Sequence, residues 1–289
     1  MSMFDLVYSQ LVRQVINEGV AQDPSTVRAH YADGKPAPTI SVEGVSFAIT
    51  PEMGVPILQS KFVGHKWAFT EIEWIWQEMS NDVTWLNDRG VTIWDEWKLE
   101  DGTIGKAYGW QLANKLRNVL VPTLAVYTLL NQVEYVIYQL KSNPSSRRIM
   151  TTLWDVEDLD DMSLEPCVWA THWTVQEGKL NLHVKQRSAD IALGLPYNVL
   201  QYHALHALMA EEVGLELGTM YWNIDNAHIY DRHIETIKEQ TEGSYDVGVL
   251  MSTPKLVLPE GEGFFPRRLS GAKIIDYKHN GKFTYEVAI

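Results

Sequence analysis

The chain holds a single cysteine, Cys167, within Leu164-Glu165-Pro166-Cys167-Val168-Trp169. A lone cysteine among apolar neighbours is either a small buried hydrophobe or a reactive thiol. Its seat between a proline-terminated loop and the start of a strand is compatible with an exposed thiol. To act as a nucleophile it must lose its proton, which calls for a nearby cation, usually an arginine. Arginines gather at two places, Ser145-Ser146-Arg147-Arg148 and Gln186-Arg187-Ser188-Ala189-Asp190. Planar guanidinium groups beside hydroxyl and backbone donors suit a phosphate monoester dianion. The first cluster fits a solvated surface equally well. The second sits at a strand end, just before the glycine-containing turn Leu193-Gly194-Leu195-Pro196.

Tyr197-Asn198 stands at the start of the next expected helix, where Asn198 is a natural N-cap. Its amide also offers a donor and an acceptor together, enough to pair with N3–H and O4 of a uracil. His228-Ile229-Tyr230 sets two polar rings on one face of a strand, where core packing and ligand contact are both open.

The elements that must position these residues follow from periodicity. Apolar residues at helical spacing (Leu6, Leu11, Val12, Val15, Ile16) predict a first helix ending near Gly19. Residues 39–42 and 45–49 read as a hairpin or paired strands around Glu43-Gly44. His65 to Met79 reads as a helix whose Phe69, Trp74 and Trp76 pack a core, and Gln132 to Ser142 as another, stopped by Asn143-Pro144. Strands are expected at 149–154, 169–175 and 180–184, the last with Leu180, Leu182 and Val184 on one face. Val199 to Val213 reads as a helix ended by Gly214, and 273–287 as strand-like. Helices cluster rather than alternate with strands, so the expected class is α+β: one domain over 1–289, with a large mixed β-sheet packed by helices.

Composition narrows the function. Of 289 residues, 45% are hydrophobic and 21% charged, an ordinary globular profile. Lysine and arginine number 24 against 37 acidic residues, a formal charge of −13, which argues against a nucleic-acid partner held by a general positive field. An anion must instead meet locally concentrated arginines. The first residues show no signal-peptide pattern and no apolar run reaches the ~18 residues of a membrane span, so no membrane partner is expected. One cysteine fits a reducing compartment, and a cytoplasmic location is expected.

Taken in order, Ser146-Arg147-Arg148, Pro166-Cys167, Gln186 to Asp190, Leu193 to Asn198 and His228-Ile229-Tyr230 resemble the catalytic half of the thymidylate synthase family. Glu71-Ile72-Glu73-Trp74, Ile93-Trp94-Asp95-Glu96-Trp97, Gly105-Lys106-Ala107-Tyr108-Gly109 and the closing Val287-Ala288-Ile289 are similar to family motifs upstream and at the end. The likeness covers nearly the whole chain and is strongest to the type of bacilli and their phages.

The resemblance implies reductive methylation of dUMP to dTMP with 5,10-methylenetetrahydrofolate as co-substrate, which leaves as dihydrofolate; no metal is implied. Cys167 would add to uracil C6. Arg187 and Ser188, with Arg28, would hold the phosphate. Arg147 and Arg148 would reach it across a sheet-mediated homodimer. Gln186 would support the nucleotide and thiol, Asn198 would read the uracil edge, and His228 and Tyr230 would bond the deoxyribose. Glu71 would manage protons near O4, with Tyr108 among the catalytic groups, and Asp190 would accept from the pterin. The folate site would be walled by Ile93, Trp94, Trp97, Leu193, Gly194 and Tyr197, with Lys61 near the glutamyl tail and Ala288 and Ile289 closing over it.

Val168, His172, Asp155, Asp225-Asn226 and Gly64 depart from the commonest pattern of that family. They keep open a dUMP hydroxymethylase, in which water rather than hydride meets the same intermediate. A catalytically dead nucleotide- or RNA-binding relative is the alternative from another class. The retained Cys167, Glu71 and Asn198 argue against it.

Overall fold

A computed structural model describes residues 2–121 and 126–289. Helix α1 (Met3–Glu18) begins with a capping box, in which Ser2 and Asp5 satisfy each other's backbone N–H groups. Strand β1 (Val20–Ala21) leads to β2 (Thr39–Ile49), and helices α2 (His65–Trp76), α3 (Val83–Asn87) and α4 (Gly109–Asn114) follow. Strands β3 (Arg117–Val121) and β4 (Val126–Leu130) pair with each other and precede α5 (Gln132–Ser142). Then come β5 (Met150–Thr152), β6 (Val168–Gln176), β7 (Lys179–Asp190), α6 (Gly194–Val213) and β8 (Glu216–Tyr230). Helices α7 (Ile234–Glu242) and α8 (Val247–Leu250) and the short pair β9 (Lys255–Val257) and β10 (Lys273–Ile275) complete the order.

Six strands form one sheet in the order β1-β2-β8-β7-β6-β5. Every pairing is antiparallel except β7 with β8, whose parallel register needs the crossover that α6 supplies. The mixed sheet packed by helices is the expected α+β arrangement. Phe69, Trp74 and Trp76 of α2 are fully buried, each aromatic side chain worth roughly 3 kcal/mol or more against truncation. On β7, Leu180, Leu182 and Val184 are inside, while Asn181, His183 and Lys185 line the opposite, half-open face. Helix α6 ends at Gly214 with φ 70°, a left-handed cap.

Four expectations need correction. Residues 39–49 form one strand, not a hairpin: pairing with β8 runs on either side of Gly44, Glu43 to Asn226 and Val45 to Ile224. Gly44 takes φ 68° within the strand, a local bend that glycine permits without ending the ladder. Helix α2 stops at Trp76 instead of Met79, which itself has φ 49°. Helix α6 starts at Gly194, so Asn198 is not an N-cap and its amide is free for other work; Pro196 fits the first turn, whose N–H groups have no helical partner. Beyond Ile275 the tail is held by isolated contacts rather than a continuous ladder: Tyr277 Oη donates to the Leu58 and Lys61 carbonyls, and the Phe62 N–H donates to the Gly281 carbonyl.

Candidate active site

Cys167 lies one residue before β6, beside a bulge between Val168 and Ala170, and is half-buried. Its carbonyl accepts from the Arg187 backbone N–H at 2.8 Å, fixing the thiol's segment against β7. The Arg187 guanidinium folds back on the same loop, donating to the Glu165 carbonyl at 2.7 Å and the Pro166 carbonyl at 3.2 Å. From the other side the Cys167 N–H donates to Tyr108 Oη at 3.0 Å. Tyr108 has φ 47°, an uncommon conformation for a side chain with a Cβ, held by the turn into α4. Burial pushes the Cys167 thiol up, and the Arg187 charge and the Tyr108 hydroxyl pull it back.

Behind the thiol runs a continuous line of hydrogen bonds. Trp222 Nε1 donates to Gln186 Oε1 at 2.9 Å, and Gln186 Nε2 to Asn198 Oδ1 at 3.1 Å. Asn198 Nδ2 donates to Gln201 Oε1 at 3.2 Å, and Gln201 Nε2 to Glu71 Oε2 at 2.5 Å. Trp94 Nε1 holds the other Glu71 oxygen at 3.0 Å. Burial raises Glu71 to about 7 against both of these hydrogen bonds. A carboxyl poised near neutrality can take and return protons in the pH range where an enzyme works. Gln201, one turn along α6 from Asn198, and Trp222 were not singled out from sequence. A glutamine and a tryptophan in apolar runs look like core until the two remote strands and the helix are brought together.

The sheet register gathers a second set. Ser188 pairs with Asn226 and Asp190 with His228 across β7 and β8. His228 Nδ1 lies 3.1 Å from Asn226 Oδ1 and 3.5 Å from Ser188 Oγ. Asn226, one of the departures, therefore contributes a working hydrogen bond beside the expected sugar contacts. Ser188, Asn226, His228, Tyr230 and the exposed Arg28 together line a cavity of about 860 Å³. Cys167 stands outside that lining, yet Tyr230, pushed up to about 12 chiefly by burial, is close enough to feel Asp190, Cys167 and Arg28 at once.

Asp190 Oδ1 accepts from the Ala192 and Leu193 N–H groups at 2.8 and 3.1 Å, which leads the chain into Gly194 and α6. Lys61 is buried, donating to the Ala192 carbonyl at 2.5 Å and lying 4.8 Å from the Tyr285 ring centre. Burial lowers it to about 8, against the pull of Asp190. Its ammonium thus supports the Asp190 loop from beneath. Trp94 packs on Tyr108 (centroids 5.1 Å apart) and Trp97 (5.8 Å), with Ile93 exposed at the rim. Tyr197 Oη accepts from the Gly64 N–H at 3.4 Å, so the departure at Gly64 keeps a backbone contact with this wall.

Two expected groups fall elsewhere. Arg147 and Arg148 are exposed and line a separate cavity of about 520 Å³ with Asn143, Ser145 and Ser146. The tail carrying Ala288 is paired with the segment after Arg28: Tyr31 bridges Ala288, and His30 exchanges N–H···O bonds with Ile289 at 2.7 and 3.0 Å. Among the described residues no group of His, Cys, Asp and Glu side chains could hold a metal ion, and no helix is long and apolar enough to cross a membrane.

The comparisons with known proteins bear on the same arrangement. The family model described as thymidylate synthase matches residues 6–289. The chain is 44% identical to the thymidylate synthase of Bacillus licheniformis and 44% identical to that of Bacillus phage phi3T, over the full length of each pair. Its fold superposes on the thermostable thymidylate synthase A from Bacillus subtilis with a TM-score of 0.90 at 43% identity, covering 99% of both chains. None of these relatives supports the hydroxymethylase alternative. With matches that run from end to end, the chain belongs to the thymidylate synthase family.

Proposed function

We propose that this chain converts dUMP to dTMP with Cys167 as its nucleophile and with the residues above in the following roles. The hydrogen-bond line from Trp222 to Glu71 is the observation that carries the reading, because it leaves Asn198 half satisfied. After Gln186 and Gln201 are served, Asn198 retains one N–H and one lone pair. Those are the partners a uracil edge requires at O4 and N3–H. Glu71, two bonds along the line, is placed to adjust charge at O4 through Gln201 or a water.

Arg187 and Ser188, with Arg28, hold the phosphate, and His228 and Tyr230 take the sugar hydroxyl. Arg187 also favours the thiolate, offsetting burial at the moment of attack on C6. Tyr108 fixes the Cys167 backbone so that the sulfur meets C6 at a constant angle. Addition at C6 moves charge to C5 and O4, where Asn198 and Glu71 act.

The residues present also fit 5,10-methylenetetrahydrofolate as co-substrate, which supplies the one-carbon unit and the hydride. Asp190 uses one carboxylate oxygen on the loop and keeps the other for a pterin N–H donor. Trp94, Trp97 and Ile93, together with Leu193, Gly194 and Tyr197, are assigned to the folate as apolar surface that excludes water. Lys61 acts through the Asp190 loop, and Ala288 belongs to a tail that pairs with Tyr31, in the segment that follows Arg28.

Arg147 and Arg148 complete the phosphate site from a partner subunit, the open face of the sheet being the contact surface of a homodimer. The whole of 1–289 works as one catalytic domain. A nucleophilic thiol is best preserved in the reducing cytoplasm.

Product analysis tests the reading. Incubation with dUMP and methylenetetrahydrofolate is expected to yield dTMP and dihydrofolate in equal amounts, by mass spectrometry and absorbance. Hydroxymethyl-dUMP with tetrahydrofolate would assign the water-trapping reaction, and no product would remove catalysis altogether.

A further inference from the structure

The line through the site has a direction. Trp222 Nε1, Gln186 Nε2, Asn198 Nδ2 and Gln201 Nε2 each donate toward Glu71. Three of these groups are side-chain amides, which satisfy a hydrogen-bond line equally well in either orientation. Something at an end must decide. Glu71 cannot decide by itself: raised to about 7, it exists as acceptor-only carboxylate and as acid with a proton to give. The indole N–H of Trp222 can only donate. It is fully buried, stacked parallel to Phe47 (5° between planes) and edge-on to Tyr202, so it cannot turn away.

From that end the orientation propagates. The Trp222 N–H demands an oxygen from Gln186, which turns the Gln186 N–H₂ toward Asn198. Asn198 must then present Oδ1 to Gln186 and Nδ2 to Gln201. The remaining lone pair and N–H of Asn198 match N3–H and O4 of uracil. An Asn198 amide turned over would match the acceptor at N3 and the amino group at position 4 of cytosine. We infer that Trp222 is a specificity-determining positioning residue, setting through Gln186 the amide orientation by which Asn198 accepts dUMP and rejects dCMP. The inference rests on the assignment of Asn198 to the pyrimidine edge.

The test is binding of both nucleotides by equilibrium dialysis, with the full-length protein. Trp222→Phe keeps an aromatic ring against Phe47 and Tyr202 and removes only the donor side of the indole. The inference expects dUMP to weaken and dCMP to strengthen, narrowing their ratio of dissociation constants by about tenfold or more, since an amide held by one hydrogen bond fewer can turn. A purely structural role weakens both nucleotides alike and leaves the ratio unchanged, which would overturn the inference.

Gln186→Glu asks the same question without touching the indole. An acceptor-only carboxylate at 186 demands the Asn198 N–H₂, so preference is expected to move toward dCMP. If Trp222→Phe fails to fold, an unchanged ratio in Gln186→Glu decides against the inference. An unmodified protein that binds the two nucleotides equally would instead refute the assignment of Asn198, and the inference with it.

Discussion

The two ends of the site are built differently. At the end assigned to the base, Glu71, Gln201, Asn198, Gln186 and Trp222 satisfy one another within a single chain, with Glu71, Gln201, Gln186 and Trp222 buried. At the end assigned to the phosphate, Arg28 is exposed, Arg187 is occupied by the carbonyls of the loop before Cys167, and Arg147 and Arg148 line another cavity. The first end is organised before any ligand arrives; the second, on the proposed roles, is completed only by a ligand and a partner subunit's arginines. Such a division puts selectivity into rigid parts, where an error in pairing is expensive, and leaves affinity to parts that can move.

Selectivity is the strongest place to break that contrast. Asn198→Asp removes the N–H needed at O4 and is expected to lower kcat/KM for dUMP by ~10⁴. A loss below tenfold, measured at saturating folate, would mean the base edge is read elsewhere. Gln201→Leu should follow, at about 10–100-fold in kcat, because it strands both Asn198 and Glu71 without their shared partner.

The anion end predicts a different pattern. Arg147→Ala with Arg148→Ala should raise KM for dUMP by about tenfold or more while leaving the base preference untouched. Mixing that variant with Cys167→Ser sharpens the point. If sites are shared between subunits, hybrid dimers regain one intact site, and about a quarter of the sites recover in an equal mixture. No recovery would place these arginines outside the site.

The smallest expected effect is on stability. Glu71 is raised in the folded protein from an ordinary 4.5 to about 7, so the folded state binds more protons between those values. Stability contributed there is present at low pH and falls as pH rises through the interval. Glu71→Gln should flatten that part of the melting profile, leaving the acid-side losses from the buried, neutral His203 and His206 in place.

The same division explains what the sequence revealed. Local rules located α5 at its observed ends, the alternating face of β7 and the glycine stop of α6, because caps, periodicity and prolines act within a few residues. They misread Gly44 as a turn because its partner strand, β8, lies far along the chain. Asn198 looked like a cap because the hydrogen bonds that give it another task come from Gln186 on β7 and Gln201 on α6. Arg28, far along the chain from Ser188 and His228, joins their cavity only through folding of the first strands against β8.

The account depends most on the sulfur of Cys167. Rapid quenching during turnover, followed by peptide mass spectrometry, reads it directly, since the chain has no other thiol. The prediction is a nucleotide mass on the peptide carrying Cys167, rising before dTMP and absent in Cys167→Ser. Formation of dTMP at full rate by Cys167→Ser, or nucleotide attached to any other residue, would contradict it.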